Sequence, residues 1–168
     1  MSVAEAQLET YVGEVVDAVG AAAPVAGAFV LGSALIGGFD PATSDVDLVV
    51  VVEPPLDVEL LATRLDGLGT PFRKLELVVY ARGARPPAYT LNYPDGPGEP
   101  DFWFVLDAAI AQEHADGWLE LIQPVSKDET RRAAEELLAW AEEQGESVHA
   151  ARARHYLANG TWITKEEA

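Results

Sequence analysis

The first half of the chain alternates between hydrophobic patterns typical of helices and of strands. A first helix ending at Gly20 is predicted by apolar residues at helical spacing, namely Leu8, Val12, Val15, Val16 and Val19. Continuous apolar runs predict strands over 25–31 and 45–52 and, after a helix over 56–65, a third strand over 74–80. This order of elements indicates a sheet flanked by helices.

The second half of the chain carries helical patterns only. Apolar residues predict a helix over 101–113. The segment 126–129, Ser-Lys-Asp-Glu, has the spacing of a capping box, so a helix should follow it to about residue 143. A last helix is predicted over 147–159 and is ended by Gly160.

Proline and glycine residues between the two halves indicate a connector over 83–100. Each proline lacks an amide donor and restricts the residue before it, which disfavours regular structure. We therefore predict two domains, one over 1–90 that carries the sheet and a small C-terminal helical subdomain over 91–168. The fold class is α+β, with a mixed sheet and flanking helices.

Charge and composition narrow the classes of partner. The chain has 11 Lys and Arg against 28 Asp and Glu, a formal net charge of −17. This balance argues against nucleic-acid and anionic-membrane partners and favours a small polycation or a metal ion. The absence of cysteine excludes disulfides and thiolate zinc sites. No apolar run approaches the roughly 20 residues of a membrane span, and the N-terminus lacks a signal-peptide pattern. A soluble cytoplasmic protein is expected.

Three sequence features point to phosphate and metal chemistry. Asp45 and Asp47 are two residues apart at the start of a predicted strand, so their carboxylates project from one face and repel unless a cation lies between them. Oxygen ligands of this kind suit Mg²⁺, and Glu76 on the next strand could share the metal or act as a general base. Gly32 and Ser33 end a strand at a turn where backbone N–H groups can hold a phosphate.

Each of these features alone has an ordinary structural explanation. A Gly-Ser pair is often a simple turn, an Asp-x-Asp pair a turn cap, and a single Glu in an apolar strand an edge position. Their occurrence together and in this order has no such explanation, and it favours a metal- and nucleotide-binding protein.

The ordered pattern resembles the nucleotidyltransferase superfamily with the polymerase-β-type fold. It is similar in particular to the aminoglycoside adenylyltransferases of the streptomycin/spectinomycin type, and this closer resemblance extends over nearly the whole chain. The segments and residues that carry it are 32–39, 44–48, 91–98, 101–106, Arg152, Gly160 and Lys165.

The resemblance implies roles for the acidic residues. Asp45 and Asp47 would be Mg²⁺ ligands, and Glu76 would be the base that takes the proton from the acceptor hydroxyl, close to the metal. The implied reaction is Mg²⁺-dependent transfer of AMP from ATP to a hydroxyl of a small cationic acceptor, namely an aminoglycoside antibiotic, which would make the chain a resistance enzyme.

The resemblance also implies phosphate-binding residues. Gly32 and Ser33 would bind the β- and γ-phosphates of ATP, and Arg152 and Lys165 match family positions that reach the triphosphate. For these two cations a solvated helix face is an equally ordinary explanation.

Three possibilities remain open. Family members continue for several helical segments beyond the position of Lys165, whereas this chain ends three residues later, at Ala168. A second copy in a homodimer could complete the acceptor site, or the chain could be a shortened relative that binds a nucleotide without turnover. The chain could also act as nucleotidyltransferase antitoxins do, by modifying a partner protein, although these antitoxins resemble only its first half.

Overall fold

The computed structural model describes residues 2–36, 39–94 and 100–168. The chain divides into two compact units, the first made of Met1–Glu99 with His114–Gln123 and the second of Pro100–Glu113 with Pro124–Ala168. The division predicted between residues 90 and 91 falls inside a strand of the first unit, Tyr89–Tyr93. No helix among the described residues is long and apolar enough to cross a membrane.

The elements follow each other closely along the chain. In chain order they are α1 (Val3–Ala22), β1 (Val25–Val30), α2 (Ser33–Ile36), β2 (Val46–Val52), α3 (Val58–Leu68), β3 (Leu75–Ala81), β4 (Tyr89–Tyr93), α4 (Asp101–His114), α5 (Trp118–Leu121), α6 (Lys127–Gln144) and α7 (Ser147–Asn159). The second unit contains α6, α7 and all of α4 except its last residue.

The first unit is built on a sheet with the strand order β1-β2-β3-β4 in the described part of the chain. The central strands β2 and β3 are parallel, and each edge strand is antiparallel to its neighbour. Helices α1 and α3 cover one face through a core that includes Val15, Leu61 and Leu77. This arrangement confirms the predicted mixed sheet with flanking helices.

Most predicted elements are present, with shifts of a few residues at their ends. Helix α1 continues past Gly20 to Ala22, so the predicted stop was wrong. The continuation buries Ala22 against the core and adds alanines, which are the strongest helix formers. The short elements α2, β4 and α5 were not predicted, because none has a hydrophobic period long enough to be detected.

Trp118 covers the second face of the sheet. Its ring, only 1% exposed, lies 5.1 Å from the ring of Phe29 on β1 and 6.3 Å from that of Tyr80 on β3. The backbone N–H of Gly83 donates a 2.7 Å hydrogen bond to the carbonyl of Leu121, which ties α5 to the loop after β3. The residues around α5 therefore belong to the first unit although they follow α4 in sequence.

The second unit has a core of small aliphatic and large aromatic side chains. Ala134 and Leu137 of α6 pack with Ala153 of α7 and Phe102 of α4. The predicted capping box at the start of α6 is confirmed. Ser126 Oγ accepts a 3.1 Å hydrogen bond from Glu129 N, and Glu129 Oε2 accepts a 2.8 Å bond from Ser126 N.

The capping box makes Ser126 a stabilising residue. Replacing Ser126 by Ala removes the acceptor for a free N–H of α6 and should lower stability by about 0.5–2 kcal/mol. We expect a fall in Tm of about 1–8 °C in a thermal melt followed by circular dichroism. Ser147→Ala is the matched control, because Ser147 is exposed at the start of α7, where no side-chain cap bond forms. Equal Tm losses in the two variants would contradict this role.

His149 of α7 is partly enclosed by aromatic rings. Its ring centroid lies 5.0 Å from that of Trp103, in a T-shaped contact, and 6.4 Å from that of Trp140. Burial lowers the pKa of His149 below its ordinary value of 6.5, and the positive charges of Lys165 and Arg152 lower it further, against a smaller opposing effect of Glu146. The folded protein therefore favours the neutral imidazole.

This depressed pKa predicts a loss of stability in mild acid. Below pH 6.5 the unfolded chain binds a proton at His149 before the folded chain does, so the free energy of unfolding falls as the pH drops towards the folded-state pKa. His149→Gln should flatten this dependence in urea titrations run at a series of pH values from about pH 7 downwards. His155→Gln is the control, and an unchanged slope in His149→Gln would refute the prediction.

Candidate active site

The parallel register of β2 and β3 places Asp47 and Glu76 side by side. The two residues are direct partners in the ladder, so their α-carbons lie on neighbouring strands at the same level. Val46 and Leu48 point into the core under α1 and α3. Because side chains alternate along a strand, Asp47 and Glu76 both project from the other face of the sheet, away from this core. The two acids that sequence analysis assigned to adjacent strands are therefore neighbours.

Asp45 lies one residue before β2, at the end of a tight turn. Within that turn Asp40 N donates to Ser44 Oγ at 3.0 Å, and Ala42 N donates to Asp40 Oδ1 at 2.9 Å. Asp45 Oδ1 is buried and accepts no hydrogen bond, and Arg73 Nε lies 3.7 Å from it. The hydrogen-bonded turn thus positions Asp45 at the same end of β2 as Asp47.

The turn after β1 is built around Gly32. Leu31 N donates a 2.8 Å hydrogen bond to the carbonyl of Asp47, which brings the end of β1 to the start of β2. Gly32 has φ +61°, in the left-handed region that favours glycine, and a Cβ at this position would collide with the Asp47 carboxylate. The absent side chain is what allows Asp47 to approach the turn. Ser33 follows as the first residue of α2.

Part of the sequence pattern lies outside the described residues. Two parts of the pattern are not described: Gly37 and Gly38, in the segment after Ser33, and residues 95–98, the second half of the motif 91–98. The site is therefore built from Gly32, Ser33 and the three acids.

Two basic residues at the site were missed by sequence analysis. Lys74 Nζ lies 3.1 Å from Glu76 Oε1, and Arg73 Nε lies 3.7 Å from Asp45 Oδ1. The signal was present in the sequence, because an Arg-Lys pair lies at the start of the third predicted strand and Lys74 is two residues from Glu76. The ion pair of Arg73 with Asp45, which crosses between strands, could not be predicted before the register was known.

Asn92 is a further polar residue at this level of the sheet. It pairs in register with Glu76 through the antiparallel ladder of β3 and β4. The sequence did contain Asn92 in the motif 91–98, but its strand was not predicted. Asp47, Glu76 and Asn92 therefore form one row across three strands.

The donor set at the sheet fits a hard divalent cation in its chemistry. Carboxylate oxygens are the ligands that Mg²⁺ prefers, and the cradle at Gly32 keeps the Asp47 carboxylate against the backbone. Asp45 also presents a buried oxygen that accepts no hydrogen bond. Within the described ranges, no three His, Cys, Asp or Glu side chains are grouped so as to hold a metal ion. The assignment of Asp45, Asp47 and Glu76 as metal ligands stays a prediction.

Arg152 and Lys165 belong to the second unit. Arg152 is partly buried, and its Nε donates a 2.8 Å hydrogen bond to the carbonyl of Ile163. Burial lowers the pKa of the Arg152 guanidinium, and the Asp107 carboxylate opposes this shift. Lys165 is exposed in a turn near the end of the chain, whereas Arg154 forms a surface ion pair with Glu142 at 2.6 Å. Their assignment to a triphosphate stays a prediction.

Comparison with known proteins shows which domain and which fold this chain is similar to. Residues 12–83 match the nucleotidyltransferase domain family. A crystal structure of spectinomycin adenyltransferase AAD(9) from Enterococcus faecialis, with ATP and spectinomycin, is similar at a TM-score of 0.66 and 18% identity, over 95% of this chain and 79% of that chain. No curated protein matches the chain. Residues 12–83 therefore form a nucleotidyltransferase domain, and the fold over 95% of the chain is similar to that of a known adenyltransferase.

Proposed function

We propose that this enzyme transfers AMP from ATP to a hydroxyl of a small cationic acceptor of the aminoglycoside class. The observation that carries the proposal is the likeness over 95% of the chain to an adenyltransferase whose structure contains ATP and spectinomycin. The net charge of −17 supports the class of acceptor, because an acidic protein attracts a polycation and repels other polyanions.

The three acids have distinct proposed tasks. Asp45 and Asp47, together with Glu76, would hold Mg²⁺, which when bound neutralises phosphate charge and withdraws electrons from the reacting phosphorus. Two observations support this assignment. Asp47 and Glu76 are partners in the ladder of β2 and β3, and Asp45 lies two residues before Asp47, at the same end of β2.

Glu76 is the proposed general base. It would take the proton of the acceptor hydroxyl while the hydroxyl oxygen forms a bond to the α-phosphorus of ATP. The bond from that phosphorus to the oxygen shared with the β-phosphate breaks, and pyrophosphate leaves. Phosphoryl-type transfer of this kind depends mainly on positioning and charge neutralisation. The row of polar residues across the sheet would supply positioning, and a Mg²⁺ ion held by the carboxylates would neutralise phosphate charge.

Four residues are proposed as phosphate contacts. Gly32 and Ser33 would bind the β- and γ-phosphates, with backbone N–H groups exposed by the absence of a side chain at Gly32. Arg152 and Lys165 are proposed to neutralise triphosphate charge on the strength of the sequence resemblance. A Mg²⁺–ATP complex as co-substrate follows from these assignments.

The proposal is tested by pyrophosphate release with ATP, Mg²⁺ and a panel of acceptors that includes streptomycin and spectinomycin. We expect release that requires one acceptor. Asp47→Asn and Glu76→Gln should each lower the rate by a factor of about 10²–10⁴, because a metal ligand or the base is lost. Both variants should keep their circular dichroism spectrum.

Asp17→Asn is the matched control, since Asp17 is exposed on α1. Full activity in Asp47→Asn would refute the metal assignment. If the protein binds ATP but releases no pyrophosphate with any small acceptor, the result would instead favour a protein side chain as acceptor or a nucleotide-binding role without turnover.

Gly32 provides a second test of the site. Gly32→Ala forces alanine into a left-handed backbone, which costs about 1–2 kcal/mol, and drives its Cβ into the Asp47 carboxylate. We expect a lower Tm and loss of transfer. Gly67→Ala is the control, because Gly67 is exposed within α3 with open space around it, and this change should stabilise the protein by about 0.5–1 kcal/mol. Normal activity in Gly32→Ala would refute the role of the turn.

A further inference from the structure

The ion pair between Lys74 and Glu76 is more enclosed than the pairs on the protein surface. Its side chains are 19% and 26% exposed, against 52% and 48% for Arg82 and Glu53. Lys74 and Glu76 are two residues apart at the start of β3, so they project from the same face of the sheet. An enclosed pair is screened less by water and salt than a surface pair, and its ammonium holds the carboxylate more firmly.

The backbone of Lys74 is anchored at the level of the acids. Val46 N donates a 2.8 Å hydrogen bond to the carbonyl of Lys74, immediately before the ladder of β2 and β3 begins. Val46 lies between Asp45 and Asp47 in sequence. The backbone of Lys74 is therefore tied to the strand end from which all three carboxylates are presented.

The charge of Lys74 offsets a repulsion that the fold itself creates. Asp47 and Glu76 are register partners on strands about 4.8 Å apart, so their negative charges disfavour each other. A positive charge 3.1 Å from Glu76 Oε1 reduces this repulsion. The same charge reduces the attraction that these carboxylates exert on a divalent cation.

We propose that Lys74 is a positioning residue for Glu76, and that it orients the carboxylate for proton transfer at the expense of divalent-cation affinity. This inference rests on the proposed function for its effect on turnover, but not for its effect on metal binding. Removing the ammonium therefore changes the two properties in opposite directions: the cation binds more tightly and the reaction becomes slower. A residue with a merely structural role would weaken both.

The test compares wild type with Lys74→Met and Lys74→Arg. Mn²⁺ affinity is measured by electron paramagnetic resonance of the free ion, and kcat and KM for ATP by pyrophosphate release with the active acceptor. In Lys74→Met we expect Mn²⁺ to bind about threefold or more tightly, and kcat to fall about tenfold or more because Glu76 loses its orientation, with KM for ATP changed little. Lys74→Arg keeps the charge and should restore both properties towards wild type.

Lys127→Met is the matched control, since Lys127 is exposed at the start of α6 and the change removes the same charge. It should leave Mn²⁺ affinity and kcat unchanged. If Lys74→Met does not fold, Lys74→Gln carries the same expectation. Weaker or unchanged Mn²⁺ affinity in the neutral Lys74 variant would overturn the proposal, as would an unchanged kcat or a wild type that binds no Mn²⁺.

The two proposals fail separately. If no acceptor supports pyrophosphate release by wild type, the proposed function is wrong, and the Mn²⁺ titration alone decides the role of Lys74. In that case the expected result is tighter Mn²⁺ binding in Lys74→Met and an affinity close to that of wild type in Lys74→Arg. This result supports the placement of the Lys74 charge against the carboxylates. If wild type is active and Lys74→Met binds Mn²⁺ no more tightly, the function stands and the inference about Lys74 is wrong.

Discussion

The parallel pairing of β2 with β3 brings the like charges of Asp47 and Glu76 to adjacent positions at one end of the sheet. Such a pair is unfavourable unless positive charge lies nearby, and Lys74 supplies it within 3.1 Å of Glu76. The hydrophobic core under α1 and α3 holds this register, because a slip of one residue would turn Asp47 into the core and Val46 out of it. The packing of the valine-rich strands therefore keeps these two negative charges side by side at one end of the sheet.

The backbone at this end of the sheet is also constrained. Gly32 lies in the left-handed region, and the Asp47 carboxylate occupies the space that any Cβ would need. The hydrogen bond from Leu31 N to the Asp47 carbonyl joins β1 to the same point. The glycine turn and the strand that carries Asp47 thus depend on each other, which gives a physical reason for their occurrence in this order within the matched domain.

Local physics made much of the fold predictable. The capping box at Ser126 and Glu129 formed as expected, and α7 ends at Gly160 as its sequence indicates. Failures occurred where an element depends on distant partners. Strand β4 exists because β3 offers it a ladder, and α5 is held by the packing of Trp118 against two strands. Neither carries a hydrophobic period that could be detected from its few residues.

The sequence by itself determined the chemistry of the candidate site: three carboxylates, a glycine turn and the alternation that puts Asp45 and Asp47 on one face. Only the tertiary structure decided which residues face each other. It paired Glu76 with Asp47 and Asn92, and it brought Arg73 to Asp45. The physical reason is that strand periodicity and turn chemistry act over a few neighbouring residues, whereas strand register is set by the burial of a whole hydrophobic face.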